Sequence, residues 1–300
     1  MLIYRSTGRR LAAIALLTLG LSANAWSASF GSPWEIWQTQ NELSRASIDH
    51  RLWQAFLDEY VVAGDNGINL VDYSRAARCG RPLLQQYLQQ LAALDPRHYN
   101  RLEQFSFWIN AYNALTVSIV LDYPDKNSIR NMGRSILART LARGPWDDDV
   151  ITIAGQPLSL NDIEHRILRP IWRDHRIHYA VNCASLGCPN LSQTAYTAQY
   201  IDAGLTAAEH AYINHPRGLS FAGHTLRVSS IFQWYRDDFA ASDNALLSYL
   251  ADHHSSLSER IRNHDGTIEY DYDWALNQTL TPRGGAKQAQ SACVNGNGHS

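Results

Sequence analysis

A chain of 300 residues with 26 lysines and arginines against 28 aspartates and glutamates has no basic excess with which to hold nucleic acid or an anionic membrane surface. Its only lysines are Lys126 and Lys287, so covalent catalysis through a lysine amine has almost nothing to work with. Four cysteines are too few for a disulfide-dense scaffold, yet they leave room for bridges, a reactive thiol or a metal site.

The first residues, MLIYRSTGRR, are basic, an apolar run from Leu11 to Leu21 follows, and Ala23-Asn24-Ala25 supplies small residues at a cleavage position. This pattern predicts a signal peptide over residues 1–25 and a mature protein that is exported to the periplasm or secreted, with no membrane anchor after cleavage. Removing it leaves 23 basic residues against 28 acidic ones. Residues 26–66 carry apolar positions at helical spacing (Trp53, Phe56, Leu57, Tyr60) that stop at the glycine-rich turn GDNG, predicting an N-terminal helical segment.

From Gly67 the main domain begins. GINLVDY predicts a short strand, and PLLQQYLQQLAALDP a helix opened by Pro82 and closed by Asp95-Pro96. RLEQFSFWINAYNALTVSIVLDYP is too polar to span a membrane and too long for a strand, so it predicts a central helix ending before Pro124. ITIAGQPLSL predicts a hairpin, SLNDIEHRILRP a helix capped by Ser159 with Asp162 three residues on, and RIHYAVN a strand. TAQYIDAGLTAAEHAYIN predicts a helix, LSFAGHTLRVS a second hairpin and SSIFQWYRDDF a last helix. Residues 281–300 are rich in Gly, Ser, Asn and Gln without apolar periodicity and predict a disordered tail, leaving 67–280 as one domain. The expected class is α+β: a mostly helical domain with a central buried helix packed on a small, largely antiparallel sheet built from hairpins.

Three places carry possible chemistry. On the central helix Ser106, Asn110 and Asn113 fall within roughly eighty degrees of Glu103, a narrow polar stripe on an apolar rod. Its asparagines either satisfy backbone groups of neighbouring loops or orient a catalytic group or oxyanion. In SLNDIEHRILRP, Glu164 falls about forty degrees from the centre of the core face and needs a partner such as Arg169, while His165 points about a hundred and forty degrees away. The third place is HYAVNCASLGCP, where a strand would put His178 and Asn182 on one face and Cys183 on the other.

Cys183 follows Asn182 at the end of that run, and a helix or turn beginning at ASLG would lend it the positive end of peptide dipoles. Four states stay open for Cys183 and Cys188: nucleophile, disulfide, inert buried thiols and metal site. A regular helix would hold their Cα atoms roughly 8.7 Å apart, so a bridge needs a loop. CxxxxC is wider than the CxxC of thiol oxidoreductases. Zinc would draw on His165, His178 or His215, none at a recognised spacing, and no metal or other cofactor is expected.

Taken together, FSFWINAYNALTV (105–117), LSLNDIEHRILRP (158–170) and HYAVNCASLGCP (178–189) resemble the DUF547 family, a domain of unknown function, over about residues 67–238 with a further echo in YDWALN (272–277). The resemblance implies that Asn110, Asn113, Glu164, His165, His178, Asn182, Cys183 and Cys188 belong to a recurring signature. It implies no activity. From the residues themselves, the leading expectation is an exported thiol-dependent hydrolase or acyl transferase. Cys183 would be its nucleophile, His165 or His178 its base, Glu164 a further catalytic group, and Asn110 or Asn113 an orienting group. Its ligand would be a small molecule, peptide or glycan. The alternative is a non-enzymatic binding or scaffold domain closed by a Cys183–Cys188 disulfide.

Overall fold

Asn100 fixes where the longest helix starts: its side-chain oxygen accepts from the Leu102 and Glu103 amides, both at 3.1 Å, and the helix then runs Arg101–Asp122. In the computed structural model, which describes residues 34–279 and Cys293, this helix is buried on nearly every face. The signal peptide over 1–25 and, apart from Cys293, the tail over 281–300 lie outside the described residues.

The described chain is α+β, 49% helix and 11% strand, as its patterning predicts. The central helix is packed chiefly by helices Arg81–Ala92 and Asp162–Leu168, and strand residues Val61, Val71, Ile153 and Leu158 join the same apolar cluster. The strands are too short to cover it. β1 (Val61–Ala63) and β2 (Asn69–Val71) form one antiparallel pair, β3 (Ile151–Ile153) and β4 (Gln156–Leu158) another. β5 (Leu219–Ala222) and β6 (Thr225–Ser229) are antiparallel, and β7 (Ile268–Asp271) joins β6 in parallel, a pairing that no hairpin supplies. Ala154 and Gly155, both at positive φ (47° and 78°), close the β3–β4 hairpin.

Two apolar clusters result. The larger surrounds the central helix and takes in Trp37, Trp53, Phe56, Tyr87 and Ile167. The smaller gathers Tyr179, Tyr212, Phe232, Leu246 and Leu250 beside β5 and β6. Cys79 and Cys293, unassigned by spacing, form a disulfide with Cα atoms 5.5 Å apart.

Three predicted elements differ in detail. RIHYAVN is a single helical turn, Ile177–Ala180, followed by extended Val181. All four residues of that turn are buried, so the alternation that distinguishes a strand is missing, and the Asp174 side chain tightens the entry by accepting the Arg176 amide at 2.9 Å. No helix begins at ASLG, where the chain makes turns and a bridge to Leu276. SSIFQWYRDDF divides into Ile231–Trp234 and Arg236–Phe239.

His50, just before helix Arg51–Tyr60, is 5% exposed, and its Nδ1 lies 2.7 Å from the Tyr87 hydroxyl. Burial lowers its pKa to about 4, slightly offset by Asp49. Unfolded His50 takes up a proton near its ordinary value of 6.5, whereas the folded ring stays neutral to about 4. Between those values the unfolded state binds more protons, so stability falls as pH falls. Between pH 7 and pH 5 this should remove about 2 kcal/mol. Urea unfolding of the wild type should show a steeper loss over that interval than His50→Gln, and parallel pH profiles would refute the assignment.

Candidate active site

The cysteine loop is positioned from the central helix. Asn113 donates through Nδ2 to the Ala180 carbonyl at 2.9 Å and accepts the Asn182 amide on Oδ1 at 2.8 Å, so one side chain clamps both ends of the residue pair before Cys183. Asn110 holds the Tyr196 backbone in the same double manner, at 2.7 and 3.0 Å. Both asparagines thus engage loop backbone, and the helix reaches the cavity through Tyr112 instead.

Asn182 then closes the loop on itself: its Oδ1 accepts the Ala184 amide at 2.9 Å and its Nδ2 donates to the Pro189 carbonyl at 2.7 Å. Buried Ala184 sits at φ 58°, a left-handed conformation that a non-glycine residue holds only when its surroundings enforce it. The YDWALN segment supplies that enforcement. The Leu186 and Gly187 amides donate to the Ala275 and Asp273 carbonyls at 2.8 Å each, which brings Tyr272 against the loop.

Cys183 is the product of this arrangement. Its sulfur lies 2.9 Å from Cys188 Sγ, 3.0 Å from the Tyr272 hydroxyl and 3.3 Å from the Ser185 hydroxyl, and its amide donates to Cys188 Sγ at 2.9 Å. Both thiols are free, with Cys188 buried and Cys183 half-buried on the wall of a cavity of about 250 Å³. Burial pushes the Cys183 thiol up, but hydrogen bonds from Cys188, Ser185 and Tyr272 outweigh it and hold the group below its ordinary value. Burial raises the Cys188 thiol, and a charged Cys183 raises it further. Of the two, Cys183 is therefore the thiol that gives up its proton first.

Across the cavity stands a buried ionic cluster. Ser159 and Asp162 cap the signature helix reciprocally, Ser159 N and Oγ reaching Asp162 Oδ2 at 3.0 and 2.8 Å while Asp162 N reaches Ser159 Oγ at 3.0 Å. The helix proceeds with π geometry over Asp162–Leu168, whose wide turn aligns positions five apart and puts Glu164 and Arg169 on one face. Burial alone would raise the Glu164 carboxyl, yet His165, His178, Arg169 and a hydrogen bond from Tyr235 bring it below its usual value.

Arg169 Nε and His178 Nε2 both meet Asp238 Oδ2, at 2.6 and 2.7 Å. His178 is stacked on Tyr235 with ring centroids 4.0 Å apart. Burial lowers the His178 pKa despite its bond to Asp238, so the neutral ring carries its proton on Nε2. Arg169 Nη1 donates to His165 Nδ1 at 3.1 Å, which places the proton of a neutral His165 on Nε2 as well.

The helical turn at Ile177–Ala180 corrects the strand parity that separated His178 from Cys183, since both line this cavity together with Glu164, His165 and Cys188. Among the described residues the Cys183 sulfur has hydrogen bonds to Cys188, Ser185 and Tyr272 and to no histidine. His215 is elsewhere, its Nε2 on the Asn66 carbonyl at 2.8 Å.

Sequence patterning did not single out Asp238, Tyr235, Tyr272 or the tryptophans. Trp234 stacks on Trp274 at 5.5 Å, Trp146 meets Trp274 edge-on at 5.9 Å, and Tyr272 lies 4.7 Å from Trp274. YDWALN was the available signal for Tyr272 and Trp274, and no motif marked the others.

Alkylation of the reduced mature protein by iodoacetamide should proceed at Cys183 with a midpoint below the ordinary thiol pKa. Tyr272→Phe should raise that midpoint by roughly one unit, the loss of one hydrogen bond to a charged group. An unchanged midpoint would remove Tyr272 from the thiolate's support.

Among the described residues no cluster of three or more His, Cys, Asp and Glu side chains is placed to hold a metal ion. No curated protein and no solved structure shows significant similarity to the chain. Residues 96–213 match the model of the family described as "Protein of unknown function, DUF547", a narrower span than the resemblance implied and one that stops before Tyr235, Asp238 and Tyr272. This chain therefore carries a DUF547 domain.

Proposed function

We propose that the protein is an exported thiol-dependent acyl-transfer enzyme, a hydrolase or acyl transferase, with Cys183 as its nucleophile. The observation that carries this proposal is a cysteine sulfur on a cavity wall with three protic neighbours within 3.3 Å and a pKa held down by them. The thiolate attacks a substrate carbonyl, and negative charge passes from sulfur to oxygen. The Tyr272 hydroxyl, hydrogen-bonded to sulfur beforehand and accepting from Ser185, stands nearest to follow that charge.

His165 is the candidate group for steadying the leaving group. It is half-buried on the cavity wall, and because its Nδ1 accepts from Arg169, its Nε2–H can donate a hydrogen bond to the leaving atom while water supplies the proton. Water or another acceptor then takes the acyl group from sulfur. In this scheme His178, Asp238 and Glu164 hold the ionic cluster together, while Asn110, Asn113 and Asn182 position backbone. The aromatic wall of Trp146, Trp234 and Trp274 suits a flat or apolar acyl group, a peptide or a glycan. The competing scaffold reading needs a covalent bond between sulfurs that stand 2.9 Å apart as thiols.

Incubating the mature protein with p-nitrophenyl acetate should give a burst of nitrophenolate and an acetyl group on the Cys183 peptide. Cys183→Ser should lack both, whereas His165→Gln should spare this burst, whose nitrophenolate leaves without a proton, and slow acyl transfer from an alkyl ester by roughly tenfold. An unacylated Cys183 that is nevertheless readily alkylated would reject the assignment.

A further inference from the structure

The second thiol is not needed for acyl transfer, and its placement has chemical consequences of its own. Cys188 is buried, and its contacts are the Cys183 sulfur at 2.9 Å, the Cys183 amide at 2.9 Å and the Val181 carbonyl at 3.9 Å. Both cysteines line the cavity, Cys183 half-buried and Cys188 buried. A reagent in the cavity therefore has readier access to Cys183, with Cys188 beside it to respond.

Their CxxxxC spacing argues against redox chemistry only if the intervening residues are extended or helical. Here they form a closed loop. Asn182 bonds to residues 184 and 189 at once, and left-handed Ala184 folds the chain back, so a wide spacing becomes a short separation. The sulfurs stand about 0.9 Å beyond the length of a covalent S–S bond of about 2.0 Å. The Cys183 amide already points at Cys188 Sγ, where it would stabilise negative charge when that thiol loses its proton.

We propose that Cys183 and Cys188 form a dithiol–disulfide couple that reduces a small disulfide substrate, with Cys183 as attacking and Cys188 as resolving thiol. In the first step the Cys183 thiolate attacks one sulfur of R–S–S–R. A Cys183–S–S–R bond forms, the substrate S–S bond breaks, and RS⁻ departs. In the second step Cys188 gives up its proton to that thiolate or to water and attacks Cys183 Sγ, expelling the second RS⁻. The substrate gains two electrons and the protein loses two; an external dithiol restores the reduced pair. Neither step uses acyl chemistry, and the oxidised form has no free Cys183 thiolate to acylate.

The test uses the full mature protein with its Cys79–Cys293 bridge intact and oxidised glutathione as probe, followed by acid quenching, alkylation of residual thiols and peptide mass mapping. Wild type should end with a Cys183–Cys188 disulfide, two glutathione thiols released per chain and no lasting adduct. Cys188→Ser should stop at a persistent Cys183–glutathione mixed disulfide, and Cys183→Ser should stay unmodified at Cys188.

Wild-type thiols that remain fully alkylatable, a wild-type adduct as long-lived as that of Cys188→Ser, or glutathione on Cys188 in Cys183→Ser would each overturn the proposal. Wild type alone decides the first outcome should a variant fail to fold, and a glutathione adduct that persists on wild-type Cys183 overturns the proposal without either variant. The ester burst is measured on the reduced protein, so failure of disulfide exchange and failure of acyl transfer are read separately.

Discussion

A helix with almost no solvent face can carry polar side chains only if other parts of the chain come to satisfy them, and the central helix Arg101–Asp122 organises its surroundings by that requirement. Gln104 donates to the Thr39, Pro96 and Tyr99 carbonyls, Asn110 takes both backbone groups of Tyr196, and Asn113 takes Ala180 and Asn182. A segment that let go would leave buried donors and acceptors unmatched, at about 1–3 kcal/mol for each. The same polar positions that keep the rod compatible with its surroundings thereby fix three loops to it. One of those loops ends in Cys183, so thiol placement follows from the burial of a helix that contributes no group to the thiol's own hydrogen bonds.

The ionic cluster beneath the cavity obeys the complementary rule for charge. Asp238 Oδ2 is shared by Arg169 and His178, while Oδ1 finds no partner among the described residues. Such a carboxylate stays ionised only while both cationic and hydrogen-bonding neighbours remain, so the cluster behaves as one unit. Its effect on the thiol is indirect. The Glu164 charge opposes ionisation of Cys183, and protic neighbours on the opposite side favour it. This differs from the cysteine–histidine ion pair of papain-like enzymes, because here the sulfur is supported by hydroxyl and thiol donors and both histidines are engaged with other partners.

Elements whose signals are local were legible in the sequence. The central helix, the Ser159–Asp162 cap, both hairpins and helix Ile201–Ile213 announce themselves through periodicity, capping residues and turn chemistry. The helical turn at Ile177–Ala180 did not, since four buried residues look alike in either conformation. That misreading had a cost, because a parity rule valid for strands placed His178 on the wrong side of the chain. The wheel position of Glu164 survived, although an α-helical template could not foresee the π turn that aligns it with Arg169. Asp238, Tyr235 and Tyr272 escaped because nothing local marks them. Their function depends on contacts across 60 residues in the case of His178 and Asp238, and 89 for Cys183 and Tyr272.

The long reach of those contacts explains why the cavity is not the property of residues 96–213 alone. The YDWALN segment runs between two pieces of the fold. On one side Asn277 gives its carbonyl to the Val71 amide at 2.8 Å and its side-chain oxygen to the Tyr73 hydroxyl at 2.9 Å. On the other, Asp273 and Ala275 pair with the cysteine loop. Gly187 lies so close that an added Cβ would stand 2.8 Å from the Asp273 amide nitrogen, so the loop and the segment must fit as backbones before any side chain is considered. Tyr272 is then delivered to the sulfur by main-chain geometry and needs no rotamer search of its own. The surroundings of Cys183 are for that reason set jointly by an asparagine before it in the chain and a tyrosine far after it, and a domain that ended at residue 213 would keep the thiol while losing a hydroxyl that holds its pKa down.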